Sequence, residues 1–454
     1  MQNNQNLFTY RQAILTTIGI LGIIFISLFI FKTEPHIPLL ACILMVSFVG
    51  ITKRVAWKEL EDGMVKGIQS GVQPIILLAL IGLLIGAWMF SGTIPTVIVY
   101  ALSVINPTYL LITALFSCMV ISSLVGSSFT TVSTIGVALM GVGIATGLPL
   151  EWVAGAVICG ACFGDKMSPM SDTTNFASGV SSVPLFTHIR HMTKTTVPAI
   201  IITAIIFLML GFSTPINEAS LLVMSEMVAV INQHVAVSMW TLLSPLLVIV
   251  LAVRKFPVIP AFTIGIISAG ITGILVQDAS IGQFLTTLQN GTTFTVENEQ
   301  VSNILNRGGL QSMMWSISLI MIAFALGGLL EKLQIITTLL TGLFERIQSR
   351  GQLILSTVAS SLGVNLLTGE QYLSILIPGQ TFKPLYEKMA IDRKYLSRSL
   401  EDSGTLINPL VPWGVSGAFF AQTLGVSVID YLPFAFFLYI SPLFTILFGF
   451  RAKG

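Results

Sequence analysis

The stretch "CFGDKMSPMSDTTNFASG", residues 162–179, decides the fold. It sets Asp165, Lys166 and Asp172 inside a hydrophobic segment, with Gly164 and Pro169 interrupting the run. Of the 454 residues, 54% are hydrophobic and only 9% charged, against about 25% charged in a soluble domain. Mean hydropathy is +0.89. Apolar runs of the roughly 20 residues that cross a bilayer as helix recur along the chain. Helices suit lipid because they satisfy their own backbone polar groups. The sequence therefore reads as an all-α polytopic membrane protein of the cell membrane, whose constant partner is the lipid bilayer. A net charge of +2 without a basic tail gives no sign of a nucleic-acid partner. Residues 13–31 lack a basic leader and a cleavage site and read as a retained first helix. Cys159 and Cys162 form a C-x-x-C among Gly and Ala. With no second pair nearby, it reads as close helix packing rather than redox or metal chemistry.

Helices are expected near 13–31, 36–53, 71–91, 195–212, 238–253, 257–276, 309–330 and 429–450. Residues 108–182 and 350–427 are apolar but interrupted, and the short segments 94–106 and 333–349 read as interfacial. The chain also repeats itself. "PHIP" at 35–38 returns as "PVIP" at 257–260, "GIQS" at 67–70 as "GLQS" at 309–312, and "SSL" at 122–124 as "SSL" at 360–362, which sets Asp165 against Asp402. Each half then has three helices, a re-entrant hairpin, a broken helix and a final helix. The first repeat covers 1–212, an extracytoplasmic linker 213–237, and the second repeat 238–454. Lys and Arg gather in the expected inner loops 53–66, 183–194 and 383–398, while the connection at 213–237 carries Glu218 and Glu226 and no basic residue. By the positive-inside rule both termini are cytoplasmic and the halves have inverted topology.

An apolar helix is expected to end near Phe163, and a second piece to start after Pro169. The matching break is "LEDSGTLINPLVPWG", residues 400–414, with Glu401, Asp402 and Asn408. The hairpin tips add Ser127, Ser128 and Thr130 in the first half, and Asn365, Thr368 and Glu370 in the second. Oxygen ligands of this kind suit hard cations. An ionised Asp at the bilayer centre costs at least ~2.5–3.5 kcal/mol. This core holds Asp165, Asp172, Glu370, Glu401 and Asp402 against Lys166. Such acids must be protonated, paired or cation-bound, which is the physical basis of cation/proton exchange. Lys166 is open to two readings, internal counter-ion or substrate ligand. His188 and His191 fall in an expected inner loop and read as solvated.

The segments "FGDKMSPMSDTTNFASGV", "EDSGTLINPLVPWGVSGAF" and "GVQPIILLALIGLLIGAWMFSGTIPTVIVYAL" resemble those of the NhaC family of sodium/proton antiporters, a likeness that covers nearly the whole chain. The resemblance implies Na+ and H+ as transported ions and no tightly bound cofactor. It also implies a scaffold part, an elevator-type transport part (107–194 and 350–428) and a homodimer. It carries sodium-site candidacy to Asp165, Ser168, Asp172, Thr173, Asn175, Asp402 and Asn408, with Asp165, Asp172 and Asp402 as metal ligands. The family also includes exchangers of organic acids, of the malate/lactate type, and of amino acids. Such an organic-acid exchanger is the alternative reading, although no Arg in the expected core would grip a carboxylate. An enzyme is not expected. "CFGD" has Cys162 where an intramembrane aspartyl protease needs Gly, and the chain has no Tyr-Asp.

Overall fold

The computed structural model describes residues 7–104, 106–213, 218–295, 302, 305–344 and 347–451. Residues 214–217 of the expected linker, the side chains of Glu218 and Glu226, and residues 345–346 of the segment 333–349 lie outside the described residues. Among the described residues the secondary structure is entirely helical. Eight helices are long and apolar enough to cross a bilayer, or ten if each of two sharply bent pairs counts as one span.

Three expectations change. The inner loop 53–66 is largely the helix Trp57–Ser70. Its Gly63 and Gly67 pack against Gly328 of the helix Met314–Lys332 so tightly that a Cβ on Gly67 would strike the Phe324 carbonyl. The expected loop 183–194 is the start of one long helix, Leu185–Ser213. The helix carrying the opening motif runs unbroken from Leu150 to Met167, through Gly164. Gly164 serves packing there: a Cβ would come within 2.5 Å of Ser122 Cβ on the neighbouring helix Leu110–Val125. The break proper is residues 168–171, and Ser171 caps the next helix, Asp172–Ser181, by accepting from the Thr174 amide.

Left-handed residues recur in the two halves at near-constant spacing. Lys32 pairs with Lys255 and Arg54 with Asp278, 223 and 224 positions apart. Gly92 pairs with Gln334 at 242, and Gly126 with Gly369 (369 − 126 = 243). Gly147 with Ala390 and Ser182 with Gly425 also stand 243 apart. The remaining positive-φ residues, Gly291, Gly308 and Gly309, fall where the second half is longer. The "GIQS"/"GLQS" match shares this register, but the "SSL" match does not. On the backbone register Asp165 stands against Asn408, and Asp402 against Cys159.

Each hairpin turns at a left-handed glycine, Gly126 or Gly369, and its tip presses on a helix break. A Cβ on Gly126 would lie 2.8 Å from the Met170 backbone, and one on Gly369 2.7 Å from the Trp413 carbonyl; Met170 and Trp413 are again 243 apart. A left-handed Cβ alone costs roughly 1–2 kcal/mol. Gly126→Ala and Gly369→Ala are therefore each expected to lower the melting temperature of the purified protein, checked by thermal unfolding in detergent.

Candidate functional site

Three helices converge on Asp402, which lies on a fourth, Arg393–Gly404. The first broken helix brings Lys166, whose ammonium forms an ion pair with Asp402 Oδ1 and donates to Ser441 Oγ at 3.0 Å. Ser441 donates to the same Oδ1 at 2.7 Å. Thr195, on Leu185–Ser213, donates to Oδ2 at 3.2 Å, and Thr445 donates there too. Lys166 and Asp402 are both completely buried. Charge-assisted bonds of this number hold Asp402 as a carboxylate. Lys166 is thus the internal counter-ion. The sequence reading missed Thr195, Ser441 and Thr445. The available signal was Ser441 and Thr445, four residues apart and so on one face of an otherwise apolar helix.

Asp165 lies elsewhere. Its Oδ2 accepts from the Ser128 amide at 3.0 Å and the Ser128 hydroxyl at 2.7 Å. The carboxylate therefore sits at the amino end of the helical run Ser128–Thr146, where backbone N–H groups and the helix dipole favour negative charge. Ser127 caps that end by accepting from the Thr130 amide and hydroxyl. In the second hairpin the acid belongs to the tip itself. Glu370 caps Gln371–Lys388, accepting from the Leu373 amide at 2.5 Å. Its break supplies an amide instead: Asn408 donates to the Gly369 carbonyl at 3.0 Å and to Asn365 Oδ1 at 2.9 Å. Asn365 donates to the Ser403 and Gly404 carbonyls, and Asn408 Oδ1 accepts from the Ser416 amide. At these matched positions each pair has one acid, Asp165 on the break side and Glu370 on the tip side.

Glu401, next to Asp402 in the chain, is fully buried. Its Oε1 accepts from the Thr173 hydroxyl at 3.4 Å, and its Oε2 has no hydrogen-bond partner among the described residues. Thr173 also meets Ser171 Oγ at 3.0 Å. Asp172 and Asn175 are exposed, on the outward face of Asp172–Ser181. Asn175 donates to the Pro169 and Ser171 carbonyls, which fixes the break. Ser168 Oγ accepts from the Met170 amide, and Thr368 donates to the Val364 carbonyl; both are structural bonds within their own turns. No group of three or more His, Cys, Asp or Glu side chains among the described residues is placed to share a metal ion. The trio Asp165, Asp172 and Asp402 is therefore not one ligand set: Asp402 is committed to Lys166, and Asp172 lies on an exposed face.

Two further expectations are corrected. His188 and His191 are buried, because the helix that replaces their expected loop packs on Arg393–Gly404. One ring nitrogen of His188 is 2.9 Å from Ser397 Oγ, and His191 meets Tyr395 edge-on. Arg398, counted with the loop 383–398, is buried within the helix. Cys159 and Cys162 are buried free thiols. A cavity of about 960 Å³, lined by Arg307, Asn290, Gln311 and Gly425 among others, has none of these acids in its wall.

The family model for the Na+/H+ antiporter family matches residues 160–453, from the first broken helix onward. The chain belongs to the Na+/H+ antiporter family. Within that family it is 60% identical over 452 residues to the Na(+)/H(+) antiporter NhaC of Bacillus subtilis (strain 168), covering 99% of this chain and 100% of the relative. It is 54% identical to the Na(+)/H(+) antiporter NhaC of Alkalihalophilus pseudofirmus, over 96% of this chain and 94% of that one. A more distant relative, at 32% identity over 97% and 94% of the two chains, is the malate-2H(+)/Na(+)-lactate antiporter of Bacillus subtilis.

The paired charges yield a test. Removing one partner of a buried ion pair costs about 3–5 kcal/mol, whereas replacing both with apolar groups is often neutral. Lys166→Met or Asp402→Leu alone is expected to lower the melting temperature sharply, and the double variant, in which both groups are apolar, to recover part of the loss. Thermal unfolding of the three proteins checks it.

Proposed function

We propose that this multi-pass membrane protein is a Na+/H+ antiporter that exchanges its ions at Asp165 and Glu401. The observation that carries the site assignment is Glu401: a fully buried carboxyl with one distant donor and an unpartnered Oε2. A buried carboxylate so short of donors is costly unless a proton or a cation satisfies it. Asp165 has the opposite setting, two donors and a helix amino end, which support a charged carboxylate able to hold a metal ion. Thr173 and Ser128 supply neutral oxygens, the ligands a hard cation takes. In this reading Asp165 binds Na+, Glu401 carries the proton, and Asp402 remains ionised against Lys166 as part of the frame. The basic residues of the inner loops support cytoplasmic termini and halves of inverted orientation.

The organic-acid alternative needs a cation facing Asp165 and Glu401; Lys166 is taken by Asp402, and Arg398 is grouped with Arg350 around Tyr395, one helical turn away. Exchange of Na+ for H+ without an organic solute is therefore the reading the geometry favours.

In proteoliposomes an imposed sodium gradient is expected to drive proton movement with no organic acid present. Asp165→Asn should lower that flux by roughly tenfold or more, the scale of effect seen when the support of an ion site is removed. Glu401→Gln, which mimics the protonated acid, should abolish proton coupling while sodium still shifts the melting temperature. Unchanged sodium dependence in Asp165→Asn would exclude that residue as ligand.

A further inference from the structure

Arg398 lies in the helix Arg393–Gly404, one turn before Asp402. It is 1% exposed, and its Nε and Nη2 have no hydrogen-bond partner among the described residues. Arg350, the first residue of the helix Arg350–Thr368, likewise has buried Nε and Nη2 atoms without partners. Both guanidinium groups approach one ring: Arg350 Cζ is 3.9 Å and Arg398 Cζ 5.5 Å from the centroid of Tyr395. His191 meets the same ring edge-on at 4.7 Å, and its buried ring nitrogens have no side-chain hydrogen-bond partner among the described residues. The neighbouring acids are already engaged. Asp392 pairs with Lys394 at 2.7 Å, and Asp402 with Lys166. No ion pair among the described residues includes Arg350 or Arg398.

A guanidinium taken out of water needs an anion and hydrogen-bond acceptors, or its burial is strongly unfavourable. Here two guanidinium groups and an imidazole share one aromatic ring, and Arg350 and Tyr395 lie in the first turns of two helices whose dipoles add positive potential there. The outward N–H groups of the two guanidinium forks are complementary to negative charge. Guanidinium forks match the oxygens of phosphate, and basic pockets between membrane helices take phospholipid headgroups. We propose that Arg350, Arg398 and His191, grouped around Tyr395, form a binding site for a phosphate-type oxyanion, supplied as free phosphate or as the headgroup of an anionic lipid. The site is independent of the ion-exchange assignment.

The test is thermal unfolding of the full-length protein in neutral detergent. One arm titrates inorganic phosphate against chloride at matched ionic strength. The other titrates phosphatidylglycerol against phosphatidylcholine. A rise in melting temperature with phosphate assigns the free anion, and a rise with phosphatidylglycerol alone assigns the lipid. Arg398→Gln and Arg350→Gln should each weaken the apparent affinity by roughly tenfold or more, since each removes a bidentate charged donor. Arg398→Lys, which keeps charge without the fork, should fall between wild type and Arg398→Gln. If the wild type responds to neither probe, or both Gln variants respond as it does, the proposal is overturned. Should the Gln variants not fold, the wild-type arms and Arg398→Lys decide it.

Discussion

A charge that leaves water must be met by another charge and by hydrogen bonds, and the structure meets that condition most fully at Lys166 and Asp402. One residue comes from each half of the chain, both are completely buried, and hydroxyls from two further helices complete the carboxylate's shell. The bond draws both broken helices and the last helix of each half into one body. Such pairs contribute less to net stability than to specificity in some systems, because desolvation offsets much of the Coulomb attraction. Their breakage is what costs. The pair therefore defines which helices belong together, and it leaves Asp165 and Glu401 as the buried acids of the two breaks whose charge is not already balanced by a lysine.

Around this frame the two hairpin tips solve the same problem in opposite ways. In the first half a serine-rich tip receives a carboxylate from the break, Ser128 to Asp165. In the second the tip brings its own acid, Glu370, and the break answers with Asn408. A common backbone plan thus carries unequal chemistry. The neutral member, Asn408, has each polar atom hydrogen-bonded and acts as a staple between tip and break. The acidic member faces hydroxyls that can rearrange. The family match gives this arrangement its context, since exchange of a monovalent cation for a proton needs carboxyls that either can satisfy.

Much of this was legible in the sequence. Composition decided the membrane, length decided the spans, and the charged motifs inside apolar runs located both breaks. The likeness of "GIQS" to "GLQS" lies in the register of the paired left-handed residues, whereas "SSL" does not, because two serines and a leucine recur by chance in membrane helices. Asp165 and Asp402 were expected to be symmetric, but a side chain's partner depends on which helices pack across the core, and that is not written locally. The same limit hid Ser441 and Thr445. Gly164 read as a helix breaker because glycine has two uses, and only the neighbouring Ser122 shows that here it permits close approach. His188 and His191 read as solvated because a polar stretch looks like a loop until a facing helix, Arg393–Gly404, is seen to cover it.

The separation of Lys166 from Asp402 also bears on how the protein is made. The partners are 236 residues apart in the chain. A ribosome adds about 5–20 residues each second, so the lysine enters the bilayer roughly ten to fifty seconds before its carboxylate exists. Throughout that interval Lys166 lacks the partner it has in the folded protein, and an ammonium left unpaired at the bilayer centre would cost ~2.5–3.5 kcal/mol on insertion scales. The second half supplies the missing carboxylate, so docking of the two halves is favoured by a charge introduced in the first.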